Sequence, residues 1–301
     1  MSLSRIIVKD RKEKVISELH IDLASKITVK ALKTQLRPIV KKSLLRIYLT
    51  YGKLVLDDNS RTLASYGLKD QDVITYKDLG PQILWHTVFY VEYLGPFLLF
   101  LVFFFFKREK HELIQKLGML FGSAHFLKRI LETYFVHVFS RDSMPKQRAF
   151  INFFHYWILC GVNIGTELSF FWKNPQYSNL LIGALSVGFG VSEFMNLMCH
   201  LTLKNLRSGG EEESDKEGSV RKKRGIPHGF GFNQVSCANY FWEISSWCFF
   251  AGLVRCWTAY LYLGASSYQM VKWAQEKHSR YKKELGDLYP KNRKAILPYM
   301  L

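Results

Sequence analysis

Acidic side chains are scarce in this sequence. Twenty-five Asp and Glu face 42 Lys and Arg in 301 residues, a formal charge of +17. Such an imbalance points to polyanionic partners: nucleic acid, anionic headgroups, or the phosphates of nucleotides and coenzyme A. Cysteine is scarce too. Cys160, Cys199, Cys237, Cys248 and Cys256 form no Cys-x-x-Cys pair, which argues against a disulfide framework or a zinc site, and no metal is expected. No Gly-x-Ser-x-Gly elbow occurs, and His111-Glu112 lacks the second histidine of a zinc-protease helix. Gly229 and Gly231 do not open a strand-to-helix fingerprint, so no Rossmann domain is expected and a nucleotide must be held between helices. Residues 1–10 lack the apolar centre of a signal peptide, which leaves the N-terminus expected in the cytosol.

Apolar residues are plentiful. They make up 48% of the chain, and aromatics 15%, a share that suits interfacial belts of a membrane protein. Residues 83–106 form an apolar run that rises roughly 36 Å as a helix, against a hydrocarbon core of about 30 Å. Residues 113–138, 150–172 and 180–203 repeat the pattern. The stretch 240–273 would rise roughly 50 Å as one helix, too long for one span, and a break is expected near Arg255. Six spans then return the tail carrying Lys277, Arg280, Lys282 and Lys283 to the cytosol, as the positive-inside bias asks. The polar insert between the fourth and fifth spans, with its acidic residues 211–217 and basic residues 221–224, reads as a disordered cytosolic loop. These spans favour a membrane and a phosphate-bearing ligand over nucleic acid.

Several spans carry ionisable groups that lipid penalises. Glu92 lies near the middle of the first. His125, Lys128, Arg129 and Glu132 fall at i, i+3, i+4 and i+7, on one face of the second. Glu193, Asn196 and His200 repeat the stripe in the fourth, with Arg207 further on. Asn239, Glu243 and Ser246 share a face of the fifth, beside Tyr240. Costly polar groups inside spans mark a functional chamber. The bland alternatives are an interfacial helix with a solvated side, internal ion pairs, and for Tyr240 an aromatic-belt anchor.

Residues 1–77 read as a separate module. Ile6 and Val8 alternate with polar neighbours, Thr28 precedes the helical stripe Val29, Leu32 and Leu36, and Leu45, Ile47 and Leu49 alternate again. With Gly52-Lys53-Leu54-Val55-Leu56-Asp57-Asp58 and Tyr66-Gly67-Leu68-Lys69-Asp70-Gln71-Asp72-Val73-Ile74, the order of elements resembles ubiquitin. The expected fold is therefore an α-helical multi-pass membrane bundle of about six spans (78–301) behind an N-terminal ubiquitin-like α+β domain (1–77).

The segments LETYFVHVFS (131–140), SCANYFWE (236–243) and KHSRYKKELGDLYPKNRKAILPYML (277–301), with KDLGPQILW (77–85), resemble the steroid 5α-reductase family. The resemblance covers essentially the whole chain. It implies a multi-pass enzyme of the endoplasmic reticulum, both termini cytosolic, that reduces long-chain trans-2-enoyl-CoA to the saturated acyl-CoA with NADPH. That reaction closes each turn of very-long-chain fatty-acid elongation. The implied partners are the condensing enzyme, the ketoacyl reductase and the hydroxyacyl dehydratase. By the same resemblance Tyr240, Glu92 and Lys128 are catalytic. Asn196, His200, Arg207, Asn239, Glu243, His278, Tyr281 and Tyr289 grip the cofactor, and His125, Arg129 and Glu132 are left to the substrate. Ala238 departs from a proline common in relatives. Competing expectations are a steroid or polyprenol reductase, a membrane methyltransferase, and a silent scaffold for elongation enzymes.

Overall fold

A computed structural model describes residues 3–107, 109–137, 142–208, 212–214, 220–222 and 225–300. The chain gathers into two compact units, one of Met1–Trp85, Phe139–Ala149 and Gly210–Lys223, the other of His86–Val138, Phe150–Gly209 and Arg224–Leu301.

In the first unit, β1 (Ser4–Lys9) and β2 (Val15–Ile21) form a hairpin, and α1 (Val29–Val40) follows. Then come β3 (Ile47–Tyr51), the short β4 (Leu54–Val55) and β5 (Val73–Asp78). The sheet order is β2-β1-β5-β3-β4, with β1 and β5 parallel and the other pairs antiparallel. Alternation explains the core. Ile6 and Val8 of β1 and Ile47 and Leu49 of β3 point to one face, where Val29, Leu32 and Leu36 of α1 cover them. Thr28 starts α1 by accepting the Ala31 N–H at 3.3 Å. Two further strand pairs belong to this unit: β6 (Gln82–Leu84) with β7 (Ser143–Pro145), and β8 (Glu212–Ser214) with β9 (Val220–Lys222). The last pair falls in the insert expected to lack order. The rest of that insert, 209–211, 215–219 and 223–224, lies outside the described residues.

The second unit is helical. It contains α2 (Trp85–Phe106, from His86 on), α3 (Leu113–Phe135), α6 (Asn179–Ser208), α7 (Ala238–Val254) and α8 (Trp257–Leu285). Between α3 and α6, α4 (Lys146–Phe153, from Phe150 on in this unit) runs on as a π-helix (Phe154–Val162), α5 (Asn163–Thr166) and a second π-helical stretch (Glu167–Phe171). By length and composition α2 and α6 can cross a bilayer. The break expected near Arg255 is found there. Arg255 adopts φ +51° between α7 and α8, and Glu167 caps the new helix, accepting the Trp257 and Thr258 N–H groups at 2.9 and 2.8 Å.

Close packing holds the site's helices together. Phe100, Phe126, Trp247, Phe250 and Tyr262 form its buried aromatic core. A Cβ on Gly95 of α2 would come within 2.1 Å of the Trp157 ring, so only glycine admits that indole, which donates to the Val91 carbonyl at 2.8 Å. Pro96, next in line, has no N–H to return to the Glu92 carbonyl, which loosens α2 beside the carboxylate.

Candidate active site

The stripe predicted on α3 faces inward. His125 and Glu132 are 3% and 2% exposed, and Lys128 and Arg129 are largely covered. Burying these charges needs partners, and neighbouring helices provide them. His125 presents Nδ1 to Glu193 at 2.8 Å and Nε2 to Glu243 at 3.3 Å. Lys128 Nζ lies 2.8 Å from Glu193 Oε2 and donates to Asn196 Oδ1 at 2.8 Å. Asn196 in turn donates to the Asn239 carbonyl at 2.9 Å. Arg129 Nη1 is 2.7 Å from Glu132, which also meets His200 Nδ1 at 3.0 Å and Lys128 Nζ at 3.6 Å. Arg129 Nη2 donates to the Tyr93 hydroxyl at 3.0 Å. One buried polar layer thus ties α2, α3, α6 and α7.

Both cations of the stripe are met by carboxylates, Lys128 by Glu193 and Arg129 by Glu132, while Glu243 meets His125. The layer therefore suits an uncharged group better than a phosphate. Glu132, His137 and His200 bring potential metal-donor atoms within 4.8 Å of one another, but the Arg129 guanidinium already supplies the positive charge there, 3.2 Å from His200 Nδ1.

Glu92 and Tyr240 meet different partners. Glu92, 1% exposed, accepts from Asn152 at 2.6 Å. Tyr240 instead turns toward α8, packed with Met270 and Ala274, its ring centroid 4.7 Å from the Lys277 ammonium. No hydrogen bond joins the two among the described residues. Asn152 and Lys277 are functional candidates the sequence reading missed. Lys277 follows the Asn239–Glu243 stripe in no visible period, and Asn152 sits in a segment whose π-helical continuation breaks the 3.6-residue pattern.

The remaining predicted residues meet at the C-terminal segment. Ser236 binds His278 Nδ1 at 2.6 Å and the Tyr289 hydroxyl, and its backbone N–H donates to the Lys294 carbonyl at 2.8 Å. Tyr281 stacks on Tyr289 with centroids 5.7 Å apart. Arg207 stands exposed near the end of α6. Beside His278 opens a cavity of about 470 Å³ lined by Lys282, Lys291, Arg293 and Lys294. Arg293 is 3% exposed, lies over the Tyr289 ring at 5.5 Å, and leaves Nε and Nη1 without a partner among the described residues. A buried guanidinium with orphaned donors is costly unless an anion completes it. The cavity fits the phosphates of a dinucleotide. Its signal was the cation run within 291–294.

Residues 142–301 match the family described as 3-oxo-5-alpha-steroid 4-dehydrogenase. A Schizosaccharomyces pombe protein named as an enoyl reductase is 39% identical, covering 80% of each chain. A very-long-chain enoyl-CoA reductase of Dictyostelium discoideum is 36% identical over 77% of this chain and 79% of its own. A Caenorhabditis elegans relative bearing the same activity in its name is 37% identical over 83% and 82%. The chain belongs to the 3-oxo-5-alpha-steroid 4-dehydrogenase family, the steroid 5α-reductase family of oxidoreductases.

Proposed function

We propose that this protein reduces the α,β double bond of long-chain trans-2-enoyl-CoA to give saturated acyl-CoA, the final step of a fatty-acid elongation cycle. The observation that carries the reading is the pairing of two unlike polar sites in the second unit. One is an ion-paired buried layer across α2, α3, α6 and α7. The other is a basic cavity around Arg293. Relatives named for enoyl-CoA reduction supply the substrate class.

The cofactor is NADPH, which when bound supplies a hydride. Lys282, Lys291, Arg293 and Lys294 offset its phosphates, with Arg207, His278, Tyr281 and Tyr289 shaping that end. Asn196, His200, Asn239 and Glu243 line the nicotinamide end. His125, Arg129 and Glu132 border the thioester. Lys128 keeps Glu193 and Asn196 in place. Tyr240, whose ring faces the Lys277 ammonium, provides the proton that ends on the α-carbon. Glu92 steadies the reacting region through Asn152. Stabilising charge only as it develops is what raises the rate.

The wider reading follows. Residues 1–77 form a ubiquitin-like docking domain, supported by the strand and helix order of the first unit. Residues 78–301 form a six-span catalytic domain in the endoplasmic-reticulum membrane with both termini cytosolic, beside the condensing enzyme, ketoacyl reductase and hydroxyacyl dehydratase. Exposed Leu120, Phe150, Ile151, Leu180 and Trp257 on the helices beyond α2 support the further spans.

Anaerobic incubation of detergent-purified protein with NADPH and a trans-2-enoyl-CoA, followed by product mass, tests this. A gain of two hydrogens is expected. Turnover confined to a steroid or polyprenol substrate, with none on the thioester, would overturn it.

A further inference from the structure

We infer that Tyr93 is a catalytic residue of this site, the hydrogen-bond donor to the thioester oxygen as it becomes an enolate. The inference rests on the enoyl-thioester reading above. Tyr93 follows Glu92 on α2, is 2% exposed, and lies among rings: Phe89 at 5.6 Å, Tyr156 at 5.5 Å and Phe126 at 6.4 Å between centroids. A phenylalanine would satisfy that packing. The hydroxyl needs another explanation, since a buried phenol earns its place by hydrogen bonding.

Its one hydrogen-bond partner among the described residues is Arg129, which donates from Nη2 at 3.0 Å while its guanidinium carbon stands 5.1 Å from the ring centroid. Arg129 has no lone pair to accept the phenolic proton. The O–H donor is therefore left for a further acceptor. The guanidinium is fixed by Glu132, itself held by His200, so the phenol oxygen is fixed by three helices. Donation into the phenol oxygen polarises the O–H and strengthens its next bond. An acceptor that gains charge during the reaction profits most.

The chemistry balances. As a hydride and its electron pair bond to the β-carbon, the π pair of the double bond shifts to make the enolate, whose oxygen accepts the Tyr93 O–H. The α-carbon then takes the proton of Tyr240, which solvent restores. The π pair closes a C–H bond, the carbonyl reforms, and Tyr93 keeps its own proton throughout. Tyr240 and Tyr93 thus divide proton delivery from oxyanion support.

The test compares wild type with Tyr93→Phe in two assays. In the first, a long-chain 3-ketoacyl-CoA, whose enolate absorbs in the near ultraviolet, is titrated onto protein without nucleotide. Wild type is expected to raise the enolate fraction, and Tyr93→Phe to lower that effect at least about 10-fold. Affinity for saturated acyl-CoA should be equal in both, reporting that the fold and pocket survive. In the second, kcat for enoyl-CoA reduction should drop about 100-fold with KM within about threefold. Equal enolate signals, or near-normal kcat, would overturn the Tyr93 assignment alone. A wild-type protein inactive on every enoyl-CoA would instead overturn the parent reading and this inference with it. Should the phenylalanine variant fail to fold, 3-fluorotyrosine at position 93, a stronger donor of nearly equal size, is expected to intensify the enolate band, and an unchanged band would overturn the assignment.

Discussion

The side-chain amide of Asn152 donates to Glu92 Oε1 at 2.6 Å, joining α2 to the last turn of α4 just before the helix widens into its π-form. Removing one partner of a buried polar pair leaves the other unsatisfied, a loss of about 1–3 kcal/mol. Asn152→Ala should therefore destabilise the protein by that amount in a detergent thermal melt and lower kcat. Glu92→Gln keeps a hydrogen-bonding carbonyl toward Asn152 and should melt near wild type while turnover falls. If both variants lose stability and activity in the same proportion, Glu92 is structural.

Tyr240 and Lys277 form the second pair of interest. Tyr240→Phe deletes one hydroxyl and little volume, so folding should survive. Its kcat should fall by about 100-fold, the size of a lost transition-state donor. Lys277→Met should lower kcat about 10-fold or more with a small change in KM, because a positioning cation acts on the phenol and not on substrate binding. Steady-state kinetics on both variants checks this. Undiminished kcat in Tyr240→Phe would return Tyr240 to a packing role.

Arg293 tests the basic cavity. A charge-assisted hydrogen bond contributes about 1.5–3 kcal/mol, so Arg293→Gln should raise the Kd for NADPH about 10- to 100-fold in a fluorescence titration. Binding of an acyl-CoA should change far less. A larger loss for the thioester than for the nucleotide would show that the cavity holds coenzyme A phosphates instead.

Periodicity made part of this site legible in advance. His125, Lys128, Arg129 and Glu132 were readable because a helix repeats every 3.6 residues, and the structure buries that face. The break at Arg255 was readable from length alone. Pairing was not. Sequence spacing within one helix says nothing about which carboxylate of another helix meets Lys128, so its match with Glu193 could not be read in advance. Tyr93 was hidden for the opposite reason: it is one aromatic among many on an apolar helix, its neighbour Glu92 turns to a different partner, Asn152, and its own partner Arg129 lies on α3. Arg293 was visible only as one cation in a basic tail, whereas its burial depends on the pairing of Ser236 and Cys237 with Lys294 and Ala295.

Gly95 offers a test of packing free of catalytic chemistry. A methyl group there would overlap the Trp157 ring, whose N–H is anchored on the Val91 carbonyl. Overpacking of this kind costs about 1–3 kcal/mol. Gly95→Ala should lower the melting temperature and the yield of folded protein, and Gly95→Ala combined with Trp157→Phe should recover part of the loss. Additive losses in the pair would mean that the two residues do not clash.

In the first unit, Arg46 grips Asp78 through two hydrogen bonds at 2.9 and 2.6 Å, tying the start of β3 to the end of β5. Those bonds, with the Gly80 N–H and the Arg46 charge, hold the Asp78 carboxyl below the usual carboxylate range against a smaller opposing effect of burial. The sign follows from linkage. A carboxyl whose folded value is depressed contributes fully above the ordinary aspartate value of about 3.9 and loses that contribution as pH falls through the depressed one. The pair is partly open to solvent, so its contribution should be about 0.5–1 kcal/mol, not more. Hydrogen exchange of β3 and β5 peptides in the full chain should therefore quicken in Asp78→Asn at pH 7. The difference from wild type should shrink as pH is lowered through the acid side of 4, and high salt should shrink it as well. A difference that grows on acidification would mean that Asp78 is not the ionised partner of Arg46.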